Sequence, residues 1–195
     1  MAAAELPFTL ITNVTRTLQA AVAVTTSPFT GTQQVQDFGG EWWTYEIEFT
    51  ARQGADGRRL SAFFAALGGS RDTFIFRDPL VGYPLAAGTA LVNGAGQTGN
   101  TLAVDGLGTQ ALLAGDFVQL GTLGTTRLYQ LTADATPVAG AATLQIVPKL
   151  RAATMNNEAV NIKTPGVLLR LTSPAPASIG LADIYRFSIA AREAI

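Results

Sequence analysis

The sequence predicts a mainly β chain with one amphipathic helix, carrying an inserted small β-barrel of the SH3 or OB kind. Three observations lead there. Segments 42–50 (WWTYEIEFT) and 183–192 (DIYRFSIAAR) alternate apolar and polar residues with the period of two that marks a strand with one buried and one solvated face. A single segment, 58–67, carries a helical period. Between residues 86 and 166 aromatics nearly vanish, leaving Phe117 and Tyr129, while short apolar runs recur between turn signals.

Taken in order, residues 8–12 (FTLIT) and 18–25 (LQAAVAVT) read as strands, followed by a turn-rich linker, TSPFTGTQQ. In 42–50, Trp43, Tyr45, Ile47 and Phe49 face one way and Thr44, Glu46 and Glu48 the other. The helix follows. Asp56 is expected to cap it, Leu60, Phe63, Phe64 and Leu67 form one apolar stripe, and Gly68-Gly69 stops it. That stripe must lie on a sheet, so core packing is the reading of Phe63 and Phe64, ahead of a ligand box. Residues 73–77 (TFIFR) form a strand ended by Asp78-Pro79, with Asp72 and Asp78 read as turn residues. Near the C-terminus, Tyr185, Phe187 and Ile189 point to the core and Arg186 and Ser188 outward.

Five short strands are expected in the middle: 101–104, 117–120, 127–132, 143–147 and 159–162. Asn93-Gly94, Asp105-Gly106 and Ala114-Gly115-Asp116 supply turns between them. The strand 167–171 (VLLRL) then returns the chain to the first unit. The composition shift at both ends divides the chain into a first domain, 1–85 plus 167–195, and an inserted domain, 86–166.

Composition removes several function classes. The 195 residues hold no cysteine and no histidine, which excludes disulfides, thiolate chemistry, Cys/His zinc sites and histidine acid–base catalysis. Net charge is −1 with no basic run, so the electrostatic footprint for nucleic acid is missing. No apolar run reaches the length of a membrane span, and no stable membrane insertion is expected. The segment MAAAELPF carries Glu5 and lacks a basic region followed by an apolar stretch, so a secretory signal is not expected either. Only 14% of residues are charged, against roughly 25% in a typical soluble domain. A surface that hides against neighbours gives this composition, and so does an Ala- and Gly-rich coding bias.

The search for chemistry finds no convincing spacing. Glu46 and Glu48 share the solvated face of one strand, and Gly94-Ala95-Gly96 with Gly99 reads as a flexible loop, since no phosphate-binding glycine pattern opens a helix there. Asp105 and Asp116, approaching across the small barrel, are the carboxylates an enzyme reading would need. Trp42 and Trp43 face opposite sides of their strand, so one enters the core and the other is covered or lies at an interface. No residue is assigned a catalytic, cofactor-binding or metal-ligating role, no cofactor is expected, and the chain is read as a non-enzyme.

Several runs resemble one family in their order. They are Ser27-Pro28-Phe29-Thr30-Gly31-Thr32-Gln33-Gln34 with Gly39-Gly40-Glu41-Trp42-Trp43, then the helix Arg58–Leu67, then Asp72-Thr73-Phe74-Ile75-Phe76-Arg77-Asp78-Pro79. Leu113–Gly121, Tyr129–Ala135 and Pro148–Arg151 continue the match, so it covers roughly residues 20–170. The chain resembles the distal tail proteins of long-tailed bacteriophages. The resemblance implies a β-sandwich-like ring-forming domain bearing a helix, plus an accessory β domain. It also implies a homohexameric ring in the phage tail, built in the host bacterial cytoplasm, joining the tail tube protein to the hub and other tail-tip and receptor-binding proteins. Many such proteins carry a larger carbohydrate-module-like C-terminal domain, whereas here only the small middle insert is available. A carbohydrate-binding module at the tail tip is the alternative, with Trp42, Trp43 or Tyr83 as its aromatic platform. The first strands and the linker at 26–40 are the expected neighbour contact because their charge is low.

Overall fold

The structure is a computed structural model and describes residues 4–6, 11–79 and 89–195. It is mainly β, with one α-helix. The strands are β1 (Ala4–Glu5), β2 (Ile11–Thr26), β3 (Gln33–Phe49), β4 (Arg52–Gln53), β5 (Thr73–Arg77), β6 (Ala90–Val92), β7 (Thr101–Asp105), β8 (Phe117–Leu120), β9 (Arg127–Leu131), β10 (Ala142–Val147), β11 (Ala159–Val160), β12 (Gly166–Leu171), β13 (Ala177–Gly180) and β14 (Ile184–Glu193). Helix α1 (Ala55–Ala66) lies between β4 and β5.

The first sheet runs β1-β5-β12-β14-β3-β2, with β13 and β4 also paired to β14. Only the β1–β5 pair is parallel among these. The alternation read from 42–50 and 183–192 is what builds its centre. Trp43, Tyr45, Ile47 and Phe49 of β3 and Tyr185, Phe187 and Ile189 of β14 are all buried, while Glu46, Glu48, Arg186 and Ser188 are exposed. The two strands pair with Ile189 opposite Ile47, so both apolar sets fall on one face.

Helix α1 covers that face. Leu60 and Phe64 are buried, and Phe64 meets Phe49 and Phe187 edge-on or tilted at 5.7 and 5.8 Å between ring centroids. Phe63 stacks edge-on to Phe74 at 6.2 Å, so both helix phenylalanines serve the core. The helix begins earlier than the periodicity indicates, and Asp56 does not cap it. Gly54, at φ 63°, turns the chain out of β4 and is the N-cap residue, without a side-chain bond. Asp56 therefore sits inside the first turn, where its charge suits the helix dipole and pairs with Arg59 at 3.4 Å. The stop is as expected: Gly68 and Gly69 take positive φ and carry the chain off the helix.

The second sheet runs β11-β6-β7-β10-β9-β8. It nearly closes into a barrel, because Gln119 of β8 and Asn161, just after β11, exchange backbone hydrogen bonds at 2.9 Å. Leu102, Val104, Val118, Leu131, Leu144 and Ile146 fill its interior. The five middle strands expected from sequence are all present, and β6 adds a sixth. Strands β5 and β12 are antiparallel neighbours, Arg77 opposite Gly166, so the chain leaves the first sheet after Arg77 and rejoins it at Gly166. The expected boundary at 85/86 and most of the strand at 8–12 lie outside the described residues; Ile11 opens β2.

Gly57 is the tightest helix–sheet contact. A Cβ there would overlap the Tyr185 ring, so the glycine sets how closely α1 approaches β14. Helix propensity alone favours alanine by about 1 kcal/mol. Overpacking costs about 1–3 kcal/mol. Gly57→Ala is therefore expected to lower the thermal unfolding midpoint; a raised midpoint would show that the helix lifts freely.

Candidate assembly surface

The feature that stands out is a projecting arm. Strands β2 and β3 stay paired from Ile11–Phe49 to Thr26–Gln33. Strand β14 accompanies β3 only along Thr44–Glu48. Beyond that point β2 and β3 form a two-stranded ribbon with no strand on either side among the described residues. The segment expected as a linker at 26–40 is thus mostly strand. Gly39-Gly40 is an irregularity within the hairpin, with Ala20 opposite Glu41 and Val22 opposite Asp37, and not a turn between elements. Only Ser27–Thr32 turn the chain. Ser27 N–H donates to Thr32 O at 2.9 Å, Gly31 N–H to Ser27 O at 3.0 Å, and Gly31 has φ 69°.

The arm exposes apolar side chains. Phe29 at the tip is 94% exposed and Phe38 68%, and Val22, Val24 and Val35 are also exposed. Val24 lies opposite Val35 and Val22 opposite Asp37, which puts the three valines on one face of the ribbon, with Asp37 at its inner end. Between Arg16 and Asp37 the sequence holds no charged residue. Twenty residues at the chain's 14% would carry about three, and interface cores are depleted in charge.

The arm springs from a polar junction between the two sheets. Trp43, 3% exposed, donates its indole N–H to Leu128 O at 3.1 Å and its backbone N–H to Glu193 Oε2 at 3.2 Å. Glu193 Oε2 also holds Arg151 Nη2 at 2.6 Å, and Arg151 donates to the Glu41 carbonyl. The Glu41 carboxylate accepts from Lys149 N–H at 2.8 Å. On the opposite side Arg16 lies over the Phe117 ring at 3.9 Å and pairs with Asp78 at 3.5 Å. Asp78 was expected to be a turn residue; it is buried, and its charge is held by that pair. Burial pushes the Glu193 carboxyl above its ordinary range, against the attraction of Arg151. Burial likewise raises the Tyr45 hydroxyl, with Arg16 opposing it.

The other residues weighed from sequence have local partners of their own. Glu46 and Glu48 are exposed on the outer face. Asp116 accepts from Leu113 N–H at 2.7 Å and organises its own turn, while Asp105 sits at the end of β7 opposite Leu91. The glycine loop at 94–99 is tied rather than flexible: Gln97 bonds Ala103 through both backbone groups and reaches Asn93 O at 3.0 Å, and Asn156 Oδ1 accepts from Gly94 N–H at 2.9 Å. Trp42 is half-buried with the Arg192 guanidinium over its ring at 4.2 Å, which occupies one face of that indole. Tyr83 lies outside the described residues. Among the described residues no helix is long and apolar enough to cross a membrane. No family model matches this chain, and no curated protein matches it.

Removing one member of a buried ion pair costs about 3–5 kcal/mol. Glu193→Ala strands Arg151 and the Trp43 N–H, so denaturant unfolding is expected to show a loss of that size; a loss under about 1 kcal/mol would mean that the junction is not held by this pair. The pH dependence has a definite sign. The fold holds the Glu193 proton more tightly than the unfolded chain does, so the carboxyl's contribution is greatest below the ordinary glutamate range and declines as pH rises through the raised folded value. The stability of the wild type relative to Glu193→Gln should accordingly fall from the ordinary glutamate range upward.

Proposed function

We propose that this chain is a non-enzymatic structural subunit that assembles with copies of itself into a ring. The observation that carries the reading is the arm, a ribbon with no charge between Arg16 and Asp37, three exposed valines and Phe29 almost wholly exposed at its tip. A monomer gains nothing from such a feature, because open strand edges and exposed aromatics invite adventitious pairing. A repeated neighbour contact buries both at once.

The setting comes from the resemblance to distal tail proteins. On that reading the subunit belongs to the tail of a long-tailed bacteriophage, six copies forming the ring between the tail tube and the hub with its receptor-binding proteins. The order of the quoted motifs supports it, from Ser27-Pro28-Phe29-Thr30-Gly31 through Gly39-Gly40-Glu41-Trp42-Trp43 to Asp78-Pro79.

Light scattering on the purified chain over a range of concentrations tests the assembly. The expected mass is near six copies, and a persistent monomer at every concentration would sink the proposal. Phe29→Asp places a charge at the tip without touching a core residue. It should reduce the oligomer to smaller species while the unfolding midpoint stays within a degree or two, since exposed substitutions shift stability by about 0.5 kcal/mol or less.

A further inference from the structure

A second exposed apolar surface, this one uncharged, lies elsewhere on the chain. From Leu171 to Ala182 there is no charged residue, and β13 runs inside this stretch. All four β13 residues are exposed; Ile179 is 61% exposed and Leu181, just beyond, 95%. One edge of β13 pairs with β14, from Ala177–Phe187 to Gly180–Ile184. The other edge has no strand on it among the described residues. Neither β13 nor the arm segment between Val22 and Gln36 carries the charges with which proteins usually blunt an open edge.

Topology separates the two surfaces. Strand β13 pairs with the beginning of β14, at Ile184–Phe187. The arm leaves the sheet past the end of β14, where Thr44 is opposite Arg192. Strand β14 has ten residues, or about 30 Å of strand at about 3.3 Å each. The arm points away from the β13 end, so a chain's own arm cannot cover its own β13.

We infer that the arm of one copy docks on the open β13 edge of the next, Phe29 and the valine face meeting Ile179 and Leu181. This rests on the self-assembly reading and names the two surfaces that meet. The lengths agree. The four residues of β13 fit within the five-residue paired ribbon segment Val22–Thr26, and Pro174 and Pro176 bound the edge on its N-terminal side. Strand addition supplies backbone hydrogen bonds, and the apolar side chains supply burial. Strand β13 and the arm strand Val22–Thr26 both lack charge, and Asp37 stands only at the inner end of the valine face, opposite Val22, so the two strands match each other better than they match an anionic or cationic partner. Two different patches at opposite ends of the sheet make a head-to-tail contact, which is the kind that a ring requires.

The absence of cysteine makes the contact directly testable. Val24→Cys and Ile179→Cys alter exposed side chains, and each is made singly and together in the full chain. A short bismaleimide is added at a concentration where light scattering reports the oligomer. The double variant is expected to give a ladder of covalent multiples on a denaturing gel, rising to the number of copies in the oligomer. Each single variant is expected to stay at monomer mass. Dimers from Val24→Cys alone would show arm against arm and overturn the inference, as would an oligomer whose double variant gives no ladder; either leaves self-assembly standing. A chain that is monomeric by light scattering overturns both.

Discussion

Trp43 sits where four parts of the chain meet. Its ring fills the first core beside Phe117, at 6.1 Å between centroids, and its indole N–H is bound by Leu128 O from the barrel. Its backbone N–H, which would otherwise face an open edge where β14 ends, is bound by Glu193. One residue further toward the N-terminus, Trp42 is braced by Arg192. Inward of this point β3 is a core strand with partners on both sides. Outward of it, β3 keeps only β2. The whole division between a rigid body and a projecting ribbon depends on β3 being anchored here, because a two-stranded ribbon is marginal without support.

The anchoring uses polar contacts as much as apolar ones. Arg151 and Glu193 are both largely buried, and such a pair adds little net stability relative to an apolar packing of the same volume. What it adds is direction. Glu193 Oε2 can accept from Arg151 and Trp43 together only if the barrel, β14 and β3 hold one mutual position. Gln119 does the same at the other crossing, its side-chain oxygen accepting from Gly166 N–H at 2.8 Å and from Arg77 at 3.3 Å. Phe117 and Leu128 belong to the barrel strands yet pack in the first core. The barrel is therefore fixed to the first sheet by side chains as well as by its two chain crossings, and the base of the arm is fixed with it.

What the sequence made legible follows the same division. Strands with one buried face announce themselves, and β5, β12, β14 and the inner part of β3 from Trp42 onward are read correctly from alternation or apolar runs. The helix is read from its stripe, with its start misplaced because Gly54 does the turning and Asp56 only looks like a cap. The β2 half of the arm reads as the strand 18–25, but 26–40 reads as a linker for a physical reason. Both faces of the ribbon are exposed, so no hydrophobic period develops. Ser27-Pro28 and Gly39-Gly40 then carry the strongest local signals, and both are turn signals in most contexts. Strands β4, β6 and β13 are too short for any period to show. Asp78 and Gln97 were invisible as structural residues, since burial and multiple bonding depend on partners distant in sequence. The lack of charge between Arg16 and Asp37 was legible, and so was Phe29; the shape that makes them a surface was not.

Shape and charge together bear on how folding and assembly are linked. The ribbon beyond Ala20 buries almost nothing of its own, so within a single copy its order rests on cross-strand hydrogen bonds and on the bracing at Trp42 and Trp43. A neighbour that adds a strand removes an open edge and covers the valine face in one step, and anything that binds only the ordered ribbon stabilises it by mass action. The body needs no such help: its two cores are complete within one chain, and their largest side chains are wholly buried. Under the proposed assembly, then, the chain would divide its work. The sheet, helix and barrel would fold independently of concentration, while the arm would stay the one element whose stability rises with it. That arrangement lets a subunit remain folded before it meets a neighbour and keeps the energy of ordering the ribbon for the moment of contact, where it adds to the cooperativity of closure.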